Sequence, residues 1–471
     1  MENSVCLLIL ADDLTGALDT GVQFAKRGTD VRVYPSFDDA VQDLRETGAD
    51  TAANSQADVR VVNTDTRHVP AEEARKAVTA AVSAFRNCTH FYKKTDSCLR
   101  GNIGAELEAL MKATGCSLLP FIPAHPALKR TTRSGYQYLD GVLLHQSPMA
   151  RDPLNPVTDS FIPSTIGKQS RIPVRLVGTD LRGTDLRETE PRGTDPAGTE
   201  HLLIFDGETS AHLEAAARAL QDKGLLRVSA GCAGFAEALM EALPFGQENK
   251  RTDAVVHVDR LPILVVTGSL NPVSIGQVEA ARERNIPCFC VAEDDLLAEG
   301  WFESERERSL AADCRRQLQQ RGMAVLGTDL AVGIHAVSIH ADSKPTMGTD
   351  PLGINADGKT RQPVSDNSQQ ISCQVAVGKI ADCLGKITQS ILNESGPLHL
   401  VVFGGDTLLG IMNTLGYRHL RPLKEIFPGV VLAKKGNSYL VTKSGAFGDR
   451  GLISEIEEFF NDLQLSDNRI K

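Results

Sequence analysis

The sequence predicts an α/β protein built from two α/β domains with mostly parallel sheets. Three observations lead to this prediction: the chain of 471 residues is too long for one ordinary domain, 41% of it is hydrophobic, and short apolar strands alternate with amphipathic helices. Such alternation is typical of βαβ units, in which neighbouring strands run parallel. Each half is apolar enough to bury a core of its own.

In the first half, five segments are predicted to be strands, and the first of them, at 5–10, is apolar enough to be buried. They are residues 5–10, 30–35, 59–66, 90–96 and 117–124. Helices are predicted between them: one over 14–28 that ends at Gly28, one that opens at Pro70, and one over 103–114 that stops at Gly115. The second half repeats this pattern, with strands predicted at 262–269, 286–291, 324–329 and 399–406.

The predicted domains are residues 1–247 and 255–471, because a polar, glycine-containing run at 245–253 separates two apolar regions. Two further segments differ in composition from their surroundings. The segment 178–200 repeats short GTD units, and 342–370 is rich in Gly, Ser, Pro and Asn. Segments this poor in apolar residues bury little surface, so both are predicted to be exposed, flexible insertions.

Composition and charge exclude several classes of protein. The net charge of −10 argues against a nucleic-acid binder, although a local cluster of Lys and Arg can still bind an anion. No apolar run approaches the ~20 residues that span a bilayer, and the apolar run 5–10 is too short for a signal peptide. Ten cysteines without paired metal spacing suit a reducing compartment. The sequence predicts a cytoplasmic protein with no nucleic-acid or membrane partner, and a homo-oligomer is compatible with it.

Charged and polar residues collect just after the carboxyl ends of several predicted strands, where ligands bind in open α/β sheets. These residues are Asp12, Asp13, Arg67, Lys94, Asp96, Ser97, Arg100 and Gly101. Each has a structural alternative; Asp13, for example, could simply cap the following helix. Such a set delivered by separate strands is harder to explain structurally, and it indicates a ligand site.

The residue types at this predicted site indicate the chemistry of its ligand. The two arginines and the lysine can bind a carboxylate or a phosphate, and an arginine can do so through two parallel N–H bonds. The three aspartates can orient hydroxyl groups, accept a proton or hold Mg²⁺. A ligand that needs both sets has an anionic end and several hydroxyls, as a small sugar acid does.

Three glycine-containing turns follow predicted strands in the second half. They are VTGS at 266–269, FGGDT at 403–407 and TKSGAFGD at 442–449. None matches the GxxxxGK[ST] or GxGxxG phosphate-binding spacings, and a single Gly-Gly turn is more often structural. Three such turns in one domain favour nucleotide binding, because unhindered N–H groups at a helix N-terminus attract phosphate.

Four motifs, in this order, resemble the four-carbon acid sugar kinase family: ADDLTGALDTGVQFAKRG at 11–28, KKTDSCLRGNIGAE at 93–106, FGGDT and TKSGAFGD. The resemblance covers most of the chain and fails only in the two predicted insertions. Cys98 stands where the family usually has Thr, a small change. Within the family, the first two motifs are most similar to those of D-threonate and D-erythronate kinases, whereas 3-oxo-tetronate kinases differ around the second motif.

The resemblance implies that residues 1–247 bind the sugar acid, that 255–471 bind ATP, and that the active site lies in the cleft between the two domains. It also implies a set of nucleotide contacts in the second domain. These are Ser269, Gly404, Gly405, Asp406, Thr407 and either Gly445 or Gly448. The motif alone does not distinguish the last two glycines.

The expected reaction is transfer of a phosphoryl group from ATP, with Mg²⁺, to the terminal O4 hydroxyl of D-threonate, with D-erythronate as the alternative. The cationic residues would hold the substrate carboxylate, and Asp13 is the favoured proton acceptor, with Asp12 and Asp96 as alternatives. Two other classes of function are weighed against it: a phosphohydrolase that uses the adjacent aspartates, and a sugar-acid sensor without catalysis. ATP consumption with and without sugar acid separates the three.

Overall fold

The computed structural model describes residues 5–47, 58–152, 155–182, 184, 186, 201–245, 261–269, 271–292, 295, 300–302, 304–328, 366–435, 438–445 and 447–467. The chain forms two compact units: Met1–Val255 together with Tyr417–Lys435, and Val256–Gly416 together with Gly436–Lys471. The predicted α/β class, with mostly parallel sheets in two domains, is confirmed. That the active site lies between the domains stays a prediction.

The first unit contains a sheet of eight described strands, all parallel, in the spatial order β2-β3-β1-β4-β11-β5-β10-β9. The strands are β1 Leu7–Ala11, β2 Val31–Tyr34, β3 Val59–Asn63, β4 His90–Lys94, β5 Leu118–Ile122, β9 Val174–Val177, β10 His201–Phe205 and β11 Val228–Gly231. The intervening β6 Arg130–Arg133, β7 Tyr136–Leu139 and β8 Val142–Leu143 form a small antiparallel sheet. The residues of β1, LLILA, are all buried, as expected for a parallel strand covered on both faces.

Helices connect the parallel strands of the first unit. They are α1 Leu14–Ala25, α2 Phe37–Thr47, α3 Ala71–Ala84, α4 Ile103–Thr114, α5 Ile162–Gly167, α6 Ser210–Asp222 and α7 Ala233–Ala242. The predicted start of α3 after Pro70 and the predicted end of α4 at Gly115, which adopts φ +65°, are confirmed. The sequence predictions omitted β9, β10 and β11 as well as the small sheet.

Strand register in the first unit places the last residues of neighbouring strands in one row. Ala11 of β1 pairs with Asn63 of β3 on one side and Lys94 of β4 on the other, and Lys94 pairs with Gly231 of β11. Gly231 in turn pairs with Ile122 of β5. The loops that follow these five strands therefore leave the sheet at the same edge, so residues distant in sequence meet there.

The second unit has its own parallel strands in the spatial order β13-β14-β12-β15-β18. They are β12 Ile263–Thr267, β13 Cys288–Val291, β14 Met323–Thr328, β15 His399–Phe403 and β18 Ser438–Lys443. Its helices are α8 Pro272–Glu283, α9 Glu305–Arg321, α10 Asp366–Ser395, α11 Gly405–Leu415 and α12 Leu452–Asp467. Phe403 pairs with Thr267 and with Lys443, so three glycine turns leave this sheet at one edge.

A hairpin of β16 Arg421–Phe427 and β17 Val430–Lys435 belongs to the first unit although it comes late in the chain. Val33 and Leu420 exchange both backbone hydrogen bonds, at 2.9 and 2.8 Å. Arg418 binds both carboxylate oxygens of Glu46 at 2.8 and 2.6 Å. A boundary drawn at one point of the chain, as in the sequence prediction, assigns this segment to the second domain.

The two predicted insertions, 178–200 and 342–370, lie largely outside the described residues. Within the described part of the first, Leu186 is only 2% exposed, so the chain is packed there. The described part of the second, 366–370, is helical and belongs to α10. In the part of the chain that the structure describes, no helix combines the length and apolar character needed to cross a membrane.

Candidate functional site

Arg67, which follows β3, binds the two aspartates that follow β1. Its Nε donates to Asp12 Oδ2 at 2.7 Å and its Nη2 donates to Asp13 Oδ1 at 2.8 Å. Asp13 is also the N-cap of α1, accepting from Gly16 N at 3.1 Å and from Thr15 Oγ1 at 2.7 Å. The structural alternative for Asp13 is therefore real, and the carboxylate combines capping with an ion pair.

Burial alone would raise the pKa of the Asp13 carboxyl, but the charges of Arg67 and Lys94 outweigh burial and hold this pKa below its ordinary value. Its three hydrogen bonds and its lowered pKa favour a fixed, ionised carboxylate. Such a group orients donors well, yet it has little tendency to take up a proton.

Asp96, in the loop after β4, is bound by Arg100 through two parallel bonds. Arg100 Nε and Nη2 donate to the carboxylate at 2.8 and 3.0 Å, and Arg100 Nη1 donates to Asp152 at 2.9 Å. Burial opposes the ionised form, but Arg100 and Arg67 outweigh it, so the pKa of Asp96 lies far below its ordinary value. The backbone N–H groups of Cys98 and Arg100 also donate to Asp96 Oδ2, at 3.2 Å each. This carboxylate therefore stabilises the loop that contains it.

The same loop carries Ser97 and Gly101, which the sequence placed among the substrate-binding residues. The Ser97 carbonyl accepts from Gln137 Nε2 and the Gly101 carbonyl accepts from Gln169 Nε2, both at 2.9 Å. Asn102 Nδ2 donates to the Thr66 carbonyl at 2.9 Å, which ties the loop after β4 to the loop after β3.

Lys94 is the last residue of β4 and differs from the two arginines in its pairing. Its side chain forms no ion pair with any residue that the structure describes, although Asp12, Asp13 and Asp19 surround it. Burial works against a charged ammonium here, but these aspartates outweigh burial and raise the pKa of Lys94 above its ordinary value. Among the described residues, Lys94 is therefore a charged cation of this site that no ion pair holds.

Gly16 explains how Lys94 fits against α1. A Cβ at position 16 would lie 2.6 Å from Lys94 Nζ and would also meet Asp13 Oδ1. Only a glycine allows the ammonium to approach the first turn of the helix this closely.

A buried ion pair beneath the site supports these loops. Lys93 Nζ lies 3.1 Å from Glu106 Oε2, and the two side chains are 0% and 1% exposed. Thr66 Oγ1 donates to the other Glu106 oxygen, and Lys93 Nζ also donates to the Lys94 carbonyl at 3.0 Å. Burial raises the pKa of Glu106, against the opposing charge of Lys93.

Sequence reasoning overlooked Asp19, which lies on α1 between Leu18 and Thr20. Within the described part of the protein, its Oδ1 is buried and has no hydrogen-bond partner. Burial raises the pKa of Asp19 to about 6, and Lys94 opposes this shift. A single signal in the sequence could have found it: a carboxylate three residues after Gly16, on the helix face that is otherwise buried.

In the second unit, the structure brings together residues predicted to bind nucleotide. Gly404 adopts φ +102° and is the N-cap of α11, so Gly405, Asp406 and Thr407 form the first turn of that helix. A Cβ at Gly445 would meet Ser269 Oγ and would lie 3.2 Å from Asn271 Cβ. The glycine turns after β12, β15 and β18 thus meet at one edge, where the N-terminus of α11 favours phosphate.

Gly448 lies at the other end of the loop after β18. A Cβ there would approach Gln277 Nε2 at 3.1 Å and Leu452. Lys443, 2% exposed, holds this loop, because its Nζ donates to the Gly445 and Phe447 carbonyls at 3.2 and 3.1 Å. Gly445, which contacts Ser269, is therefore the glycine that fits the predicted nucleotide contact better.

Family models for a sugar-binding N-terminal domain and a nucleotide-binding C-terminal domain match residues 7–239 and 336–453. The D-threonate kinase of Salmonella typhimurium is 28% identical over 98% of this chain and 100% of the relative. The D-erythronate kinase of Heliobacterium modesticaldum is 26% identical over 94% of each chain. The 3-oxo-tetronate kinase of Pseudomonas fluorescens is 29% identical over 95% of each.

Among solved structures, a protein from Salmonella typhimurium has the same fold. The TM-score is 0.67 at 21% identity, covering 97% of this chain and 99% of that one. The family models and the relatives identify the chain as a sugar-acid kinase with a sugar-binding and a nucleotide-binding domain. The chain belongs to the four-carbon acid sugar kinase family, as its motifs predicted.

Proposed function

We propose that this kinase phosphorylates the terminal O4 hydroxyl of D-threonate, with ATP as the donor. D-erythronate is the alternative substrate. The observation that carries the proposal is the Lys94 ammonium at the sheet edge, which forms no ion pair with any described residue and lies near Asp12 and Asp13, the two aspartates held by Arg67. This arrangement suits a molecule with one anionic end and several hydroxyls, because a cation binds the carboxylate and the aspartates accept hydrogen bonds from the hydroxyls.

In this proposal Lys94 is the principal partner of the substrate carboxylate. Arg67 donates two hydrogen bonds to aspartates and Arg100 donates three, so their main role in this proposal is to fix those aspartates. A fixed carboxylate can discriminate the configuration of a neighbouring hydroxyl, since an unmatched hydroxyl leaves a buried acceptor unsatisfied.

The second unit would bind ATP through the N–H groups of the first turn of α11, beside Ser269 and Gly445. Mg²⁺ usually keeps several waters and is held by one or two carboxylates together with the substrate phosphates. Asp406 is the carboxylate of this turn and would hold the ion through its waters, while Mg²⁺ would neutralise phosphate charge. Phosphoryl transfer depends mostly on such positioning and charge stabilisation.

The substrate assignment is tested by ADP release from Mg-ATP in the presence of D-threonate, D-erythronate, their L-enantiomers and a 3-oxo-tetronate. We expect D-threonate to give the highest kcat/KM. Phosphate on O4 of the product, located by NMR, would confirm the position of transfer. A higher kcat/KM with D-erythronate or the oxo acid would refute the D-threonate assignment. ADP release that no acid stimulates would refute the kinase activity proposed here.

The nucleotide site is tested by Gly445→Val, whose added atoms would collide with Ser269 Oγ. We expect the Kd for ATP to rise at least tenfold, which corresponds to about 1.4 kcal/mol, while sugar-acid affinity measured by calorimetry stays the same. The matched control is Gly276→Val, because a Cβ at Gly276 on α8 meets no atom within 4 Å. Equal ATP affinity in both variants would remove Gly445 from the nucleotide site.

A further inference from the structure

The proposed phosphotransfer needs a group that accepts the proton of the attacking hydroxyl, and the three aspartates first considered are poorly suited to it. Asp12 and Asp13 are ion-paired with Arg67, and Asp96 is held by Nε and Nη2 of Arg100. In Asp13 and Asp96 the neighbouring cations also hold the pKa of the carboxyl below its ordinary value, so these two groups bind a proton weakly. Their geometry makes them orienting groups.

Asp19 differs from these three in its contacts. Among the described residues, no guanidinium or ammonium lies within ion-pairing distance of its carboxylate, whereas each of the other three is paired with an arginine. Within the same described part, Asp19 Oδ1 is buried without a hydrogen-bond partner, a property that it shares with Asp12 Oδ1. The side chain as a whole is half-buried, so it keeps some access to the surface. A carboxylate with an unsatisfied buried oxygen gains a hydrogen bond when a hydroxyl reaches it.

The position of Asp19 on α1 directs it toward the substrate site. Residues three apart lie on one helix face, so Asp19 shares the face of Gly16, against which Lys94 Nζ lies. Six residues at ~1.5 Å rise place Asp19 roughly 9 Å along the helix from Asp13. A four-carbon acid whose carboxylate is bound at Lys94 can therefore extend its far hydroxyl along α1.

We propose that Asp19 is the proton acceptor of this kinase, an inference that rests on the proposed function. The O4 oxygen of the substrate forms a bond to the γ-phosphorus of ATP, and the bond from that phosphorus to the bridging oxygen of ADP breaks. The proton of the hydroxyl passes to the Asp19 carboxylate and is then released to solvent.

The charged and titratable groups around Asp19 come from several elements. Lys94 of β4, Arg130 of β6 and Lys26 at the end of α1 act against protonation, whereas Asp13 favours it. The Cys232 thiol, at the start of α7, is a further neighbour. With burial as the dominant cause, the pKa of Asp19 is raised to about 6, so the group is ionised at neutral pH and still accepts a proton readily.

The experiment measures ADP release by the full chain across pH for wild type, Asp19→Asn and Asp13→Asn, with the best substrate of the wild type. We expect Asp19→Asn to lower kcat by about 10²–10⁴-fold with little change in KM. In wild type, kcat/KM should decrease as the pH falls below the Asp19 pKa of about 6. Asp19→Asn should lose this acid limb of the pH profile. Asp13→Asn should raise KM and keep the limb. Asp222→Asn, an exposed carboxylate on α6, controls for loss of one charge.

Sugar-acid binding by calorimetry verifies that each variant is folded, and the wild-type pH profile tests the proposal even if Asp19→Asn does not fold. A kcat within tenfold of wild type in a folded Asp19→Asn would overturn the role of Asp19, as would a wild-type profile without a limb near that pKa. Both results would leave the kinase activity standing. If no acid stimulates ADP release by the wild type, the proposed function fails and this inference with it.

Discussion

Lys93→Met is expected to lower the free energy of unfolding by about 3–5 kcal/mol, the usual cost of removing one partner of a buried ion pair. Lys93 and Glu106 are almost completely buried, and the lysine also binds the Lys94 carbonyl. Differential scanning calorimetry of the full chain would measure the loss. The control is Lys112→Met, since Lys112 is exposed and pairs with Glu108 only at the surface, where such pairs contribute about 0–1 kcal/mol.

The pH dependence of this destabilisation has a definite sign. Burial already raises the pKa of Glu106, and loss of Lys93 raises it further. A group with a raised folded-state pKa stabilises the fold below its unfolded-state pKa, and this stabilisation is lost as pH rises through the folded-state value. Lys93→Met should therefore be less destabilised in acid than at neutral pH, and adding Glu106→Gln should recover part of the loss. A variant as stable as Lys112→Met at neutral pH would contradict the buried pair.

Lys94→Met should affect catalysis rather than stability. If Lys94 holds the substrate carboxylate, a charge-assisted hydrogen bond of about 1.5–3 kcal/mol is lost, so KM for the sugar acid should rise by about tenfold to a hundredfold. The charge of Lys94 also lowers the pKa of Asp19, so its removal should shift the acid limb of the rate profile to higher pH. Steady-state kinetics across pH measure both effects, again against Lys112→Met. An unchanged KM together with an acid limb at the same pH would contradict the proposed role of Lys94 in the site.

Much of the fold follows from local patterns. The apolar runs at β1, β3 and β4 and the glycine that ends α4 are short-range features that sequence reasoning places within a few residues. β11 was missed although it lies at the centre of the sheet. Its sequence, VSAG, is short and, apart from Val228, consists of small residues that are not enriched in strands, so its position between β4 and β5 makes it a strand.

The sequence predicted which residues belong to the candidate site better than it predicted the contacts between them. The sequence grouped Asp12, Asp13 and Arg67 because all three follow strands, and register explains why they meet. It could not show that the arginine is occupied by the aspartates, because that contact joins residues 55 and 54 positions apart. Asp19 was missed for the same reason. Residues of β4, β6 and α7 surround it, and they are distant from α1 in the sequence.

The late hairpin has a consequence for how the protein is made. The sheet of the first unit is finished with β11, yet α1 also packs against β16, and Leu420 completes the edge at Val33. A ribosome must therefore translate the segment Tyr417–Lys435 before this unit can reach its final structure. The sugar-acid domain emerges first but matures late, and a nascent chain ending near residue 255 leaves one flank of α1 exposed to chaperones and proteases.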